Sequence, residues 1–300
     1  MFIDSFMSEW FYLWKSKIFF ILIALVALVS LYSGYAAVNN QQNSVRDLVA
    51  LKAAYNNDKA FENDIKKGES GSVARQAMQD YQSTNAQLSP LGFSIYTLKS
   101  YGIGLLVLIS GIMGIYFSNY DYKYRTFKRR MENEKISNIL LGKNFSAALV
   151  ALLVVLFSIF TNLAVSLFLV RFAHQFESYS VIQKGSFSLS EFMTVLGIVL
   201  LLNMVYACIW LNIELVLRRM TITVIIFLIY HLFVSLPWEF DFSNAISSIM
   251  IKTAKNVTYM GTLQGNSSLE VSWIVVIIYL TIFCILGTVI FSKYNKYRLE

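Results

Sequence analysis

Ionisable and nucleophilic side chains set inside apolar runs are where a sequence of this kind would carry chemistry, and few are present. Glu214 stands four residues before Arg218 at the end of an apolar run, a spacing that places a carboxylate and a guanidinium on one helix face. Two chemistries fit that pair: a structural ion pair at a membrane edge, which its edge position favours, and a proton relay. His174 falls in a loop, and His231 near the outer end of an apolar run, where it reads as a polar anchor. Cys208 and Cys284 both lie within apolar runs, so neither a disulfide framework nor a metal pair is implied. No GxxxxGK[ST], HExxH, nucleophile elbow or CxxC occurs. The sequence therefore assigns no catalytic residue, no metal ligand and no cofactor to this chain, and it reads as something other than an enzyme.

The elements that carry these residues are set by composition. Of 300 residues, 56% are hydrophobic and 14% charged, with mean hydropathy +0.55. Soluble domains carry about a quarter of their residues as charges, so the composition is that of an all-α, multi-pass membrane protein. A net charge of +7 raises the question of nucleic acid. The excess sits in short loops beside apolar runs, however, where the positive-inside rule accounts for it. Six spans are predicted, at 18–38, 101–118, 145–172, 191–216, 220–236 and 271–291, with both termini on the cytoplasmic side. Plentiful Asn, Lys, Ile and Phe point to an AT-rich bacterial genome and so to a bacterial cell membrane. Within the second, Gly104, Gly111 and Gly114 are expected to let a neighbouring helix approach closely. Asn162, in the third, is a polar group that needs a partner.

Residues 1–17 read as an interfacial elbow helix. Phe2, Ile3, Phe6, Met7, Trp10, Phe11, Leu13 and Trp14 form one face, and Asp4, Ser5, Ser8, Glu9 and Tyr12 the other; Trp10 and Trp14 suit the headgroup boundary. Residues 39–99 are a long polar insertion whose charges nearly balance, as an external segment requires. Helical spacing of Val45, Leu48, Val49 and Tyr55, and again of Ala74, Ala77, Met78 and Tyr81, predicts an external helical hairpin broken at 68–71. It is either a binding cap or a tolerated long loop. Residues 237–270 return outside, with Ala245, Ile246, Ile249, Met250 and Thr253 at helical spacing in an external or re-entrant helix.

The most basic stretch is 121–143, where seven Lys or Arg stand against three acids. Tyr124, Phe127 and Met131 are spaced three and four apart, with Lys128, Arg129 and Arg130 turned elsewhere. A short amphipathic helix hung between two spans fits either contact with a cytoplasmic protein or anchorage on anionic lipid.

Asp121, Thr126-Phe127-Lys128, Ser137, Ile139-Leu140 and Gly142-Lys143 resemble the loop after the second span of ABC-2-type exporter permeases. That loop is the coupling helix, which docks on a separate ATPase subunit. The chain departs from the family pattern at Arg125, where glycine is usual, and at Asn138, where arginine is usual. The elbow helix and the short helices between the fifth and sixth spans resemble the family as well, so the likeness covers nearly the whole chain. It implies a six-span fold paired with a second permease copy or paralogue, and an ABC ATPase subunit that holds ATP and Mg. Asp121, Tyr124, Arg125, Thr126, Phe127, Lys128, Met131 and Ser137 would form the ATPase-coupling surface. The implied cargo is an amphipathic peptide, an antimicrobial or a drug-like amphiphile leaving the cell. The alternative is a non-transporting immunity or sensor protein that binds a toxin through 39–99.

Overall fold

Both prolines, Pro90 and Pro237, lie outside the apolar runs, so nothing in those runs blocks continuous backbone hydrogen bonding. The computed structural model describes residues 2–55, 58–67, 72–102, 104–124, 130, 135–169, 188–233, 240–253 and 267–296. The elements among them are all α-helices: α1 (Phe2–Lys15), α2 (Lys17–Ala54), α3 (Asp58–Lys67), α4 (Val73–Gln87), α5 (Pro90–Tyr101), α6 (Leu105–Tyr124), α7 (Ile136–Leu169), α8 (Leu189–Leu217), α9 (Met220–Phe233), α10 (Phe242–Thr253) and α11 (Leu269–Lys296).

Four of these, α2, α7, α8 and Leu269–Ile290 of α11, are long and apolar enough to cross a membrane, and the bent pair α5–α6 makes a fifth if counted as one span. The predicted fifth span, 220–236, is described as far as Phe233. That described part, α9, is apolar and 14 residues long, about 21 Å. Large apolar side chains face outward along these helices, among them Phe160 and Leu167 on α7 and Ile277 and Ile285 on α11. Contiguous apolar exterior on this scale is foreign to soluble monomers and normal against lipid.

Contacts divide the chain into two compact units, residues 1–26, 98–157 and 194–300 in one, and 27–97 and 158–193 in the other. In the second unit, α2 does not stop at the predicted residue 38 but continues to Ala54. No glycine or proline follows residue 38 to end it, and Ala37, Gln41 and Leu48 keep one buried stripe. Here α2 and α7 pack through small residues: a Cβ on Gly34 would stand 2.9 Å from Val165, and Ser30 Oγ lies 2.8 Å from Thr161 Oγ1. Asn162 is fully buried, and neither of its amide atoms has a partner among the described residues.

The predicted hairpin over 39–99 is instead a sequence of three helices beyond the apolar part of α2. Leu48 packs with Phe61 and Ile65 of α3 and with Ala74, Met78 and Tyr81 of α4. The intervening α3 escapes a periodicity reading because its large apolar residues are the single pair Phe61 and Ile65 amid charges. Ser72 caps α4, accepting from the Arg75 N–H. Ser89 caps α5, accepting from the Gly92 N–H at 3.1 Å, with Pro90 in the first helical position.

In the first unit, α10 follows the spacing of Ala245, Ile246, Ile249 and Met250, all of them buried. Asn244, Ser247 and Ser248 are buried too, so this helix is enclosed by neighbours rather than laid on a surface. The rest of 237–270 lies largely outside the described residues.

Candidate functional site

The first helix divides its faces differently from expectation at a few positions. Met7, Phe11 and Trp14 are exposed, while Glu9 and Leu13 are buried. The inward stripe is Phe6, Glu9, Leu13 and Ser16, at the three-and-four spacing of one helix face. Phe6 meets Phe145 edge-on with ring centroids 5.3 Å apart, and Tyr12 stacks on Tyr120 at 4.3 Å. Trp10 packs between Phe6 and Trp14. An amphipathic helix that turns aliphatic and aromatic side chains outward and a carboxylate inward is suited to a lipid boundary.

That carboxylate organises the site. Arg130 Nη1 donates to Glu9 Oε1 at 2.5 Å, and Lys143 Nζ lies 3.3 Å from the same oxygen. Lys143 also donates to the Phe117 carbonyl at 2.8 Å. Glu9 is 1% exposed and Lys143 0%, so the ions are withdrawn from water and interact far more strongly than a surface pair. One acid therefore ties α1 to the middle and the end of the basic stretch and, through the Lys143 bond to Phe117, to α6. By spacing alone Glu9 falls on the polar face of the first helix and Arg130 among charges turned away from the aromatic edge, while Lys143 belongs to the Gly142-Lys143 end of the resemblance motif. One acid and two bases that lie 121 and 134 positions beyond it carried no local signal of their pairing.

The 121–143 segment is described only at 121–124, 130 and 135–143. Its first four residues complete α6, and its last eight begin α7. Of the predicted coupling residues, Ser137 is exposed on the first turn of α7. The side chains of Asp121, Tyr124, Arg125, Thr126, Phe127, Lys128 and Met131 lie outside the described residues.

Beside this node, α6 is held by two of its glycines. A Cβ on Gly114 would stand 2.1 Å from the Ala207 carbonyl oxygen of α8, and one on Gly111 would stand 2.7 Å from the Phe227 ring of α9. Gly104 differs, since a Cβ there meets nothing within 4 Å. It lies at the break between α5 and α6, where its carbonyl accepts from the Leu108 N–H at 3.2 Å and side chains supply further donors to the break. Asn203 Nδ2 donates to Gly102 O at 3.2 Å, and Ser110 Oγ donates to Asn203 Oδ1 at 2.8 Å. His231 Nε2 sits 3.0 Å from Gly104 O, and its Nδ1 lies 3.3 Å from the Tyr206 hydroxyl. A carbonyl can only accept, so Nε2 carries the proton and Nδ1 accepts from Tyr206. His231 is therefore a bundle residue serving a helix break, not an interfacial anchor.

The Glu214–Arg218 pair is resolved differently from its spacing. The helix ends at Leu217, and Arg218 turns to φ 55°, off the helical path that the i, i+4 spacing assumes. Its backbone N–H closes on the Glu214 carbonyl at 2.7 Å. The buried Glu214 carboxylate instead accepts from the Thr223 hydroxyl of α9.

In the other unit, α2 and α4 border an open groove of about 490 Å³ lined in part by Asp47 and Asp80. No group of three His, Cys, Asp or Glu among the described residues is placed to hold a metal. Comparison of the chain with protein-family models, with curated proteins and with solved structures found no match.

Proposed function

We propose that this chain is the membrane subunit of an ABC-type exporter of the ABC-2 kind, working with a separate ATPase. In this reading α1 is the elbow, 121–143 is the cytoplasmic coupling segment, six spans form the permease, and a second copy or paralogue completes it. The observation that carries it is the buried Glu9–Arg130–Lys143 node. A push on the basic segment would pass through Arg130 and Lys143 into α1 and, through Lys143, into α6 and α7. The expected cargo is an amphipathic peptide, antimicrobial or other amphiphile, and ATP with Mg belongs to the partner.

Two measurements test this. Buried aromatic anchors contribute ~2 kcal/mol or more at protein interfaces, and rim charges less. Phe127→Ala should therefore loosen a co-purifying ATPase by about tenfold or more, and Lys128→Ala by less, with an effect that fades as salt rises. Recovery of no ATPase with the wild-type chain would remove the exporter reading. Topology is the second test. With Cys208 and Cys284 replaced, an impermeant thiol reagent in intact cells should label Gln79→Cys but not Ser137→Cys, both positions being exposed. Equal labelling would refute the six-span arrangement.

The immunity or sensor reading draws on the groove between α2 and α4, whose two carboxylates suit a cationic peptide. It differs in being independent of ATP hydrolysis. Protection against a toxin that survives loss of the partner's catalytic glutamate would favour it.

A further inference from the structure

A cavity of about 140 Å³ lies among α8, α9, α10 and α11. Five aromatic side chains line it: Trp210, Tyr230, Phe242, Tyr279 and Phe283. Phe242 and Tyr279 stack with centroids 5.3 Å apart, and Trp210 and Tyr230 lie 6.2 Å apart. Ile226, also lining the cavity, is 42% exposed on the apolar outer surface of α9, so the opening is reached along that surface.

The wall is backed by a carboxylate. Tyr230 donates its hydroxyl to Asp241 Oδ1 at 3.0 Å, and the Asn244 N–H donates to Oδ2 at 3.1 Å. Asp241 is 6% exposed, and no cationic side chain pairs with it among the described residues. Its place at the start of α10 accounts for a cap. A cap alone does not account for five aromatic rings gathered beside a buried negative charge. Aromatic faces are electron-rich, and a tyrosine whose hydroxyl donates to a carboxylate is more so. Such a box attracts a weakly hydrated cation and gives a neutral apolar group no comparable advantage.

Size narrows the class. A cavity of about 150 Å³ takes a group the size of benzene, whereas drug-sized ligands occupy about 300–1,000 Å³. We propose that this pocket binds the methylated ammonium head of a cationic amphiphile, entering from the lipid side with its tail left in the bilayer. The site belongs to this chain alone and does not depend on the ATPase reading.

The test uses the purified full-length chain in nanodiscs and equilibrium dialysis with radiolabelled tetramethylammonium. Saturable binding is expected, displaced by choline but not by 3,3-dimethyl-1-butanol, its uncharged isostere. Asp241→Asn keeps a capping side chain, since asparagine caps as well as aspartate, and should weaken binding about tenfold or more at unchanged thermal midpoint. Phe283→Leu should weaken it as well while keeping the wall apolar. Displacement by the uncharged isostere, or unchanged affinity in Asp241→Asn, would overturn the proposal. Weaker tetramethylammonium binding in phosphatidylcholine than in phosphatidylglycerol nanodiscs supports it with a lipid headgroup as occupant. Equal binding in the two supports it with a free amphiphile.

Discussion

Glu9→Ala should destabilise the folded chain by about 3–5 kcal/mol, because it removes the buried carboxylate that Arg130 and Lys143 share. The loss has two parts. The attraction of two cations to this carboxylate disappears, and the part of their desolvation that it offset remains. Glu9→Gln should be milder, since an amide oxygen still accepts a hydrogen bond, but it too lacks the charge. The informative variant replaces all three residues, Glu9→Met with Arg130→Met and Lys143→Met. Buried ionic groups exchanged together for apolar ones of similar size often cost little, so most of the lost stability should return. The measurement is the thermal midpoint of the detergent-purified chain, followed by size-exclusion fluorescence. A wild-type midpoint for Glu9→Ala would mean that the node does not bear on the fold. If α1 also relays motion, the triple variant should be stable yet fail to stimulate the partner ATPase.

The second large effect is expected at Gly114. A methyl group there meets the Ala207 carbonyl oxygen at 2.1 Å and the Leu211 nitrogen at 3.2 Å. Both are backbone atoms of α8 and cannot swing aside as a side-chain end would. Relief requires α6 and α8 to separate, which also pulls on the Ser110–Asn203 hydrogen bond. Overpacking typically costs 1–3 kcal/mol, and a clash with backbone belongs at or above the top of that range. Gly114→Ala should thus lower the yield of monodisperse protein sharply, and Gly114→Val should abolish it. Gly104→Ala is the matched control. Open space surrounds that position, and the change should stay within about 0.5 kcal/mol. Similar behaviour of the two variants would contradict the close approach of α6 and α8.

What the amino-acid sequence determines by itself here is local. Apolar run length places helices at 189–217 and 269–296 to within five residues and the one at 136–169 to within nine, because hydropathy and the absence of proline act within a single segment. The spacing of Ala245, Ile246, Ile249 and Met250 likewise marks α10 and its buried face. Local signals fail where the deciding partner is distant in the chain. Glu9 reads as solvated on an isolated helix, and only the meeting of α1 with Lys143 and Arg130 makes it the centre of a buried node. Gly104 has the same composition signal as Gly111 and Gly114. Yet Gly111 and Gly114 admit a neighbouring helix, while Gly104 offers a carbonyl to His231 at a helix break. Glu214 and Arg218 have ideal spacing for a pair, but the helix ends between them and Thr223 of the next helix takes the carboxylate. In each case the side chain's environment is set by which helices pack together. That choice rests on long-range burial and polar satisfaction, which no window of neighbouring residues contains.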